Sequence, residues 1–222
     1  MRSFKDWTLA ELDKTFRLDV LDNSTVLEQW LTGQAELSDF ERQVLRSFQK
    51  ILHIHVHDWN ETELAYNFIG PVMALANFNT KQFNFFAERA FKGTVDEIEM
   101  GGRPDGMIAS GFREPEQPYF CFQEYKKEKD PEGDPAAQAL AAMLVAQELN
   151  QHRFPMYGCY IKGEIWHFMM LQERAYCISN GYVATRDDLF EIFCILKTLK
   201  QLITGFVESN SQKLVHKMST AN

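Results

Sequence analysis

No run of eighteen apolar residues occurs in the chain, and the opening MRSFKDWTLAEL mixes charge into its first turns. Neither a membrane-spanning helix nor a secretory leader is therefore expected. Cysteine is scarce: Cys121, Cys159, Cys177 and Cys194 stand singly inside apolar runs, without the paired spacing of a thiolate metal site. Buried thiols in a reducing, cytoplasmic setting are the expectation. There is no glycine-rich phosphate loop, no GxSxG setting around Ser110 or Ser179, and no sequence pairing of cysteine with histidine. Acyl-transfer hydrolysis thus has no support. Internal repeats and low-complexity linkers are also missing. Positive charge is in deficit, with 23 Lys and Arg against 31 Asp and Glu and a formal net charge of -8. That balance excludes a surface gripping phosphate backbone indiscriminately but leaves room for a locally basic groove. The densest basic patch is Lys126, Lys127 and Lys129, diluted by Glu128 and Asp130.

What the chain does have is 222 residues with 45% hydrophobic content, enough for one substantial core, and an unusual stretch from Gly101 to Lys129. In GGRPDGMIASGFREPEQPYFCFQEYKKEK, Asp105 starts one short apolar run and Glu124 with Lys126 closes a second. Two adjacent strands are expected, with EPEQP (114–118) as the turn between them and Gly101-Gly102 as the turn before. Side chains alternate along a strand, so Glu124 and Lys126 share one face while Tyr125 points away. If the strands pair, Asp105 meets that face and two carboxylates converge beside one ammonium.

Pro104-Asp105, followed by Glu124-Tyr125-Lys126 at the end of the next strand, resembles the PD-(D/E)XK nuclease-like superfamily. The resemblance covers roughly residues 60–178. It implies an α/β fold with a restriction endonuclease-like core, ordered helix, three strands, helix, strand, with a mixed central sheet flanked by helices. It further implies Mg²⁺ or Mn²⁺ held by Asp105, Glu124 and the Tyr125 backbone carbonyl, with Lys126 acting on the attacking water. Hydrolysis of phosphodiesters in DNA is the activity implied. Some branches carry a glutamine on the following helix and a tyrosine four residues later; here Gln138 is present and Ala142 stands in the second place. The alternatives are a non-catalytic nucleic-acid-binding or regulatory module retaining the fold, and a surface ion-pair cluster in an unrelated α/β protein.

The first 58 residues read as a helical extension. Thr8 with Glu11, and Ser38 with Glu41, have capping-box spacing, and Leu27, Trp30 and Leu31 suggest a short helix between them. The extension is expected to dock on the core or on a second copy, giving a possible homodimer. HIHVH (53–57) continues a helical pattern, which sets its histidines too far around the axis to share zinc. Another helix starts at Asn60, capped by Glu63, and runs towards Pro71. Glu61 falls in line with the apolar Ala65, Phe68, Ile69 and Val72. It is either the inward glutamate that many members of the resembled family carry, which the resemblance implies would hold a second metal ion or its water, or an exposed first-turn acid favoured by the helix dipole.

Residues 83–99 look extended, with Gly93 as a turn and Glu88 as either a surface or a rim acid. KDPEGD (129–134) reads as a loop leading to Asp134 as N-cap and Pro135 as first helical residue. In that helix Gln138, Ala142, Val145 and Leu149 fall on one buried face. PMYGCYIKG, EIWHFMML and AYCIS then read as strands, and a last helix starts at Thr185 with Asp188 in capping register. The core is expected to span 59–207, leaving 208–222 as a polar, frayed tail.

Overall fold

A computed structural model describes residues 1–129 and 133–219, with side chains through residue 209. The loop expected at 129–134 therefore lies partly outside the described residues, as do positions 220–222 of the tail. The chain opens with β1 (Arg2–Ser3), a 3-10 turn (Phe4–Asp6) and α1 (Leu9–Phe16), followed by β2 (Asp19–Val20), α2 (Thr25–Leu31) and α3 (Asp39–His55). The capping boxes expected at Thr8/Glu11, Ser38/Glu41 and Asn60/Glu63 all form, each satisfying amides that a helix start leaves unpaired. His53 and His55 lie in α3, as the helical reading of HIHVH requires. The third box opens α4 (Glu61–Leu64), which continues through a π-helical turn (Ala65–Ile69) into α5 (Gly70–Ala76). Pro71 does not stop this helix. The Gly70 amide already reaches back five residues to the Ala65 carbonyl, so the proline falls where the regular ladder is interrupted.

Strands follow: β3 (Phe83–Ala87), β4 (Phe91–Val95), β5 (Ile98–Gly102), β6 (Gly106–Ser110) and β7 (Glu116–Lys126). Then come α6 (Pro135–Leu149), β8 (Met156–Lys162), β9 (Ile165–Gln172), β10 (Ala175–Ile178), β11 (Tyr182–Val183) and α7 (Asp188–Ser219). The central sheet runs β2-β10-β9-β8-β7-β6-β3, with β11 also on β9. It is mixed: β7–β8, joined across α6, and β10–β2 are parallel, and the other pairs are antiparallel. A second sheet has the order β1-β5-β4.

The N-terminal extension is neither all helical nor one piece. β1 joins the small sheet and β2 the edge of the central one. Phe4, Trp7, Leu12 and Phe16 pack with α6 on one side, and Leu27, Trp30, Leu45 and Leu52 pack with α7 on the other. Helix α6 is buried from Ala136 to Gln147 around its whole circumference rather than along one face, because both sheets and α1 enclose it. Asp134 caps it as expected, accepting from the Ala137 amide at 3.0 Å, and its second oxygen accepts from the Leu9 amide of α1 at 3.1 Å.

The glycine turns are placed differently. Gly93 lies in mid-β4 and Gly101-Gly102 ends β5, while the turn between those strands is Asp96-Glu97, at φ 45° and 68°. These glycines serve close approach. A Cβ on Gly93 would stand 2.6 Å from Val145 Cγ1 of α6, and one on Gly102 would stand 2.8 Å from Phe4 Cδ2. Likewise EPEQP is not a turn, since Glu116 already pairs with Ser110. Pro118 falls in the bulge where the register slips, the position that tolerates a missing amide donor. Helix α7 starts three residues later than expected, because the Asp188 carboxylate accepts from the Val183 amide while the Thr185 hydroxyl turns to Glu164. Its backbone continues through the tail to Ser219 instead of fraying. Among the described residues no helix is long and apolar enough to cross a membrane.

Candidate functional site

The β6–β7 pairing carries Asp105, just before β6, to the end of β7. There its Oδ2 accepts the Tyr125 amide at 2.6 Å, standing in for the strand partner that β6 no longer supplies. The Tyr125 peptide is thereby placed against the Asp105 carboxylate. The Tyr125 phenol points to the other side of the strand, where it donates to Gln123. Glu124 and Lys126 share the opposite face and are both buried, at 2% and 8% exposure.

Burial raises the Asp105 carboxyl above the ordinary carboxylate range, against the pull of the Tyr125 amide. Glu124 is pushed higher still, by burial first and then by the Asp105 charge. Asp105 and Glu124 are thus neighbours at the end of β7, both biased towards their neutral forms. Glu124 Oε2 is buried without a partner, as is Gln138 Oε1 on α6. Glu61, its side chain 40% exposed, reaches Lys126 Nζ at 3.3 Å, while Glu63 turns back to its capping amide. Gly133, at φ 95°, closes the group. A Cβ there would stand 3.3 Å from the Gln138 amide nitrogen and 3.6 Å from Lys126 Cε.

Asp105, Glu124, Lys126, Gln138 and Glu61 are therefore gathered on one side of the sheet, at the start of α4 and α6. Two clefts meet there. One is lined by Glu61, Tyr66, Phe85, Glu88, Asp105 and Tyr125, which makes Glu88 a rim acid. The other is lined by Ser3, Phe4, Lys5, Gly102, Arg103, Glu124 and Gln138. Lys5 and Arg103 did not stand out in the sequence. The Ser3/Asp6 capping box marks a turn around Lys5, but nothing local says which cleft that turn overhangs.

Among the described residues, no group of three or more His, Cys, Asp or Glu side chains is close enough to cage a metal. What is present is a pair of neighbouring carboxyls, one with a buried oxygen unpartnered. That donor set fits Mg²⁺ or Mn²⁺, since Mg²⁺ commonly keeps several waters and takes only one or two carboxylates alongside substrate phosphate. A cation would offset the cost of ionising both.

The raised carboxyls give the metal-free protein a defined pH response. Between the ordinary carboxylate range and their folded values, the folded chain holds protons that the unfolded chain has released, so stability falls as pH rises. Glu124→Gln, which mimics the protonated acid, should raise the thermal midpoint at about pH 8 more than at about pH 5, each kcal/mol moving it ~2–4 °C. Scanning calorimetry in chelator measures this. A difference that does not vary with pH would remove the buried ionised form as its cause.

Protein-family models give no match to this chain, and curated proteins give none.

Proposed function

We propose that this chain is a metal-dependent phosphodiesterase of the PD-(D/E)XK type, acting on DNA through Asp105, Glu124 and Lys126. The observation that carries the reading is the gathering of Asp105, bonded to the Tyr125 amide, with the buried Glu124 and Lys126 at the end of β7. The order of elements supports it. Helix α4–α5, strands β3, β6 and β7 side by side, helix α6 and then β8 follow the order expected of the restriction endonuclease-like core, with β4–β5 as an insertion.

Bound at Asp105 and Glu124, with the Tyr125 carbonyl as a further oxygen, Mg²⁺ or Mn²⁺ supplies Lewis acidity and a water of lowered pKa. Lys126 keeps its ammonium on the same strand face as Glu124, where it orients the attacking water and offsets charge developing on phosphoryl oxygens. Glu61 holds Lys126 in place. Gln138 offers its unpartnered carbonyl to the same space, and Gly133 leaves the approach open. Calorimetric titration with Mn²⁺ tests the centre, followed by incubation with labelled single- and double-stranded DNA and RNA. Wild type should bind, and Asp105→Asn and Glu124→Gln should each weaken binding tenfold or more, on the order of one ligand's contribution. Unchanged titrations in both variants would overturn the assignment.

One observation favours the non-catalytic alternative. Glu61 is spent on Lys126 rather than joining a three-acid cluster. Metal-dependent DNA binding with no cleavage of any substrate would select it.

A second copy of the chain is our proposed partner for the outer side of α3. Phe40, Val44, Ser47, Ile51 and Ile54 recur there at alternating spacings of four and three, with Phe40 at 68% and Ile54 at 67% exposure. Antiparallel pairing about Ser47 sets Phe40 of one copy beside Ile54 of the other. Sedimentation velocity should show a dimer that becomes monomeric in Phe40→Asp/Ile54→Asp; a monomeric wild type would refute it.

A further inference from the structure

We propose that Lys5 and Arg103 form a phosphate-gripping rim, holding the DNA backbone over the carboxyl pair; this rests on reading Asp105 and Glu124 as a cation site. The floor of the cleft beneath them carries two unpartnered oxygens. Glu124 Oε2 and Gln138 Oε1 are buried and unpartnered, on side chains that are each 2% exposed. Such a floor repels a bare phosphate. A hydrated divalent cation satisfies both oxygens and turns positive charge outward, towards the mouth.

At that mouth stand two cations, both exposed, and neither has an ion-pair partner among the described residues. Other basic groups do have one: Lys92 pairs with Glu99, Arg174 with Asp96 and Lys197 with Glu41. Backbone geometry fixes the placing of Lys5 and Arg103. Lys5 rides on the 3-10 turn, whose Phe4 is 2% exposed and seated on Gly102. Arg103 follows directly after β5, and Ser3 of β1 pairs with Gly101 of that strand. The small sheet thus presents both cations from one edge, facing the end of β7. Unpartnered oxygens beneath a basic mouth match a cation carrying a phosphate on its outer side.

The test uses the full chain and a fluorescein-labelled DNA oligonucleotide, single-stranded and as a duplex. Ca²⁺, which also takes oxygen ligands, replaces Mg²⁺ so that binding is read without turnover. Anisotropy titrations across a salt series give the slope of log affinity against log salt. Lys5→Ala and Arg103→Ala should each reduce that slope by about one, and the double variant by about two. Mn²⁺ affinity, read by calorimetry, should stay within about twofold, because neither side chain is a ligand. Lys92→Ala, on the same sheet but paired with Glu99, should leave the slope unchanged. A double variant with the wild-type slope and intact Mn²⁺ binding would overturn the rim alone. A wild type that binds no Mn²⁺ would overturn the rim and the metal site together.

Discussion

On the proposed phosphodiesterase reading, Lys126→Ala should lower the cleavage rate by about 10²–10³-fold, the usual cost of removing a positioned donor from a transition state, while Lys127→Ala should stay within about twofold. The two lysines are adjacent and equally charged, so only placement separates them. Lys126 ends β7, with its side chain 10% exposed and its ammonium 3.3 Å from Glu61. Lys127 lies past the strand end and is exposed. Thermal midpoints should barely differ between the variants. Losing Lys126 frees Glu61, whose side chain is 40% exposed and readily solvated. Cleavage rate and midpoint measured side by side decide the matter. Equal losses from both substitutions would contradict the strand register and the site built on it.

Trp30→Ala costs about 3–5 kcal/mol of stability, with each kcal/mol worth ~2–4 °C in the thermal midpoint. Trp30 is fully buried under α7, donates its indole N–H to the Ile195 carbonyl at 2.9 Å, and meets Tyr157 and Phe168 edge-on at 4.9 and 5.2 Å. Truncation leaves a cavity beneath α7 and removes the indole's hydrogen bond to that helix. An extension that could be detached would show a far smaller loss. Chemical denaturation of Trp30→Ala beside Lys14→Ala, an exposed position on α1, separates the two cases. A cost below about 1 kcal/mol for Trp30 would mean that α2 is not part of the core.

Much of the candidate site was legible because its signals are local. Strand alternation set Glu124 and Lys126 on one face, and helical angles separated Glu61 from Glu63. Three capping boxes marked three helix starts in the right places. The misreadings have one cause: the residues concerned serve distant partners. Gly93 and Gly102 look like turn glycines, yet what they admit is Val145 of α6 and Phe4 of the N-terminal turn. Pro71 looks like a stop until the widened turn before it is known. Residues 1–58 carry amphipathic stripes whose partners lie on two faces of a sheet, and periodicity does not say which stripe goes where. Lys5 was invisible for the same reason, since its role depends on a β1–β5 pairing that two short, nondescript segments do not announce.

The pairing of Asp19 and Val20 with Ala175 and Tyr176 sets a timetable for folding. Residues 1–20 leave the ribosome well before their partners: Ser3 waits for Gly101, the Leu9 amide for Asp134, and β2 for β10. In the interval Phe4, Trp7, Leu12 and Phe16 have no sheet or α6 to cover them. Closing such distant contacts is slow, and apolar segments left waiting are open to aggregation. The nascent chain is thus most vulnerable at its start, and chaperone demand should end only once β10 has been made.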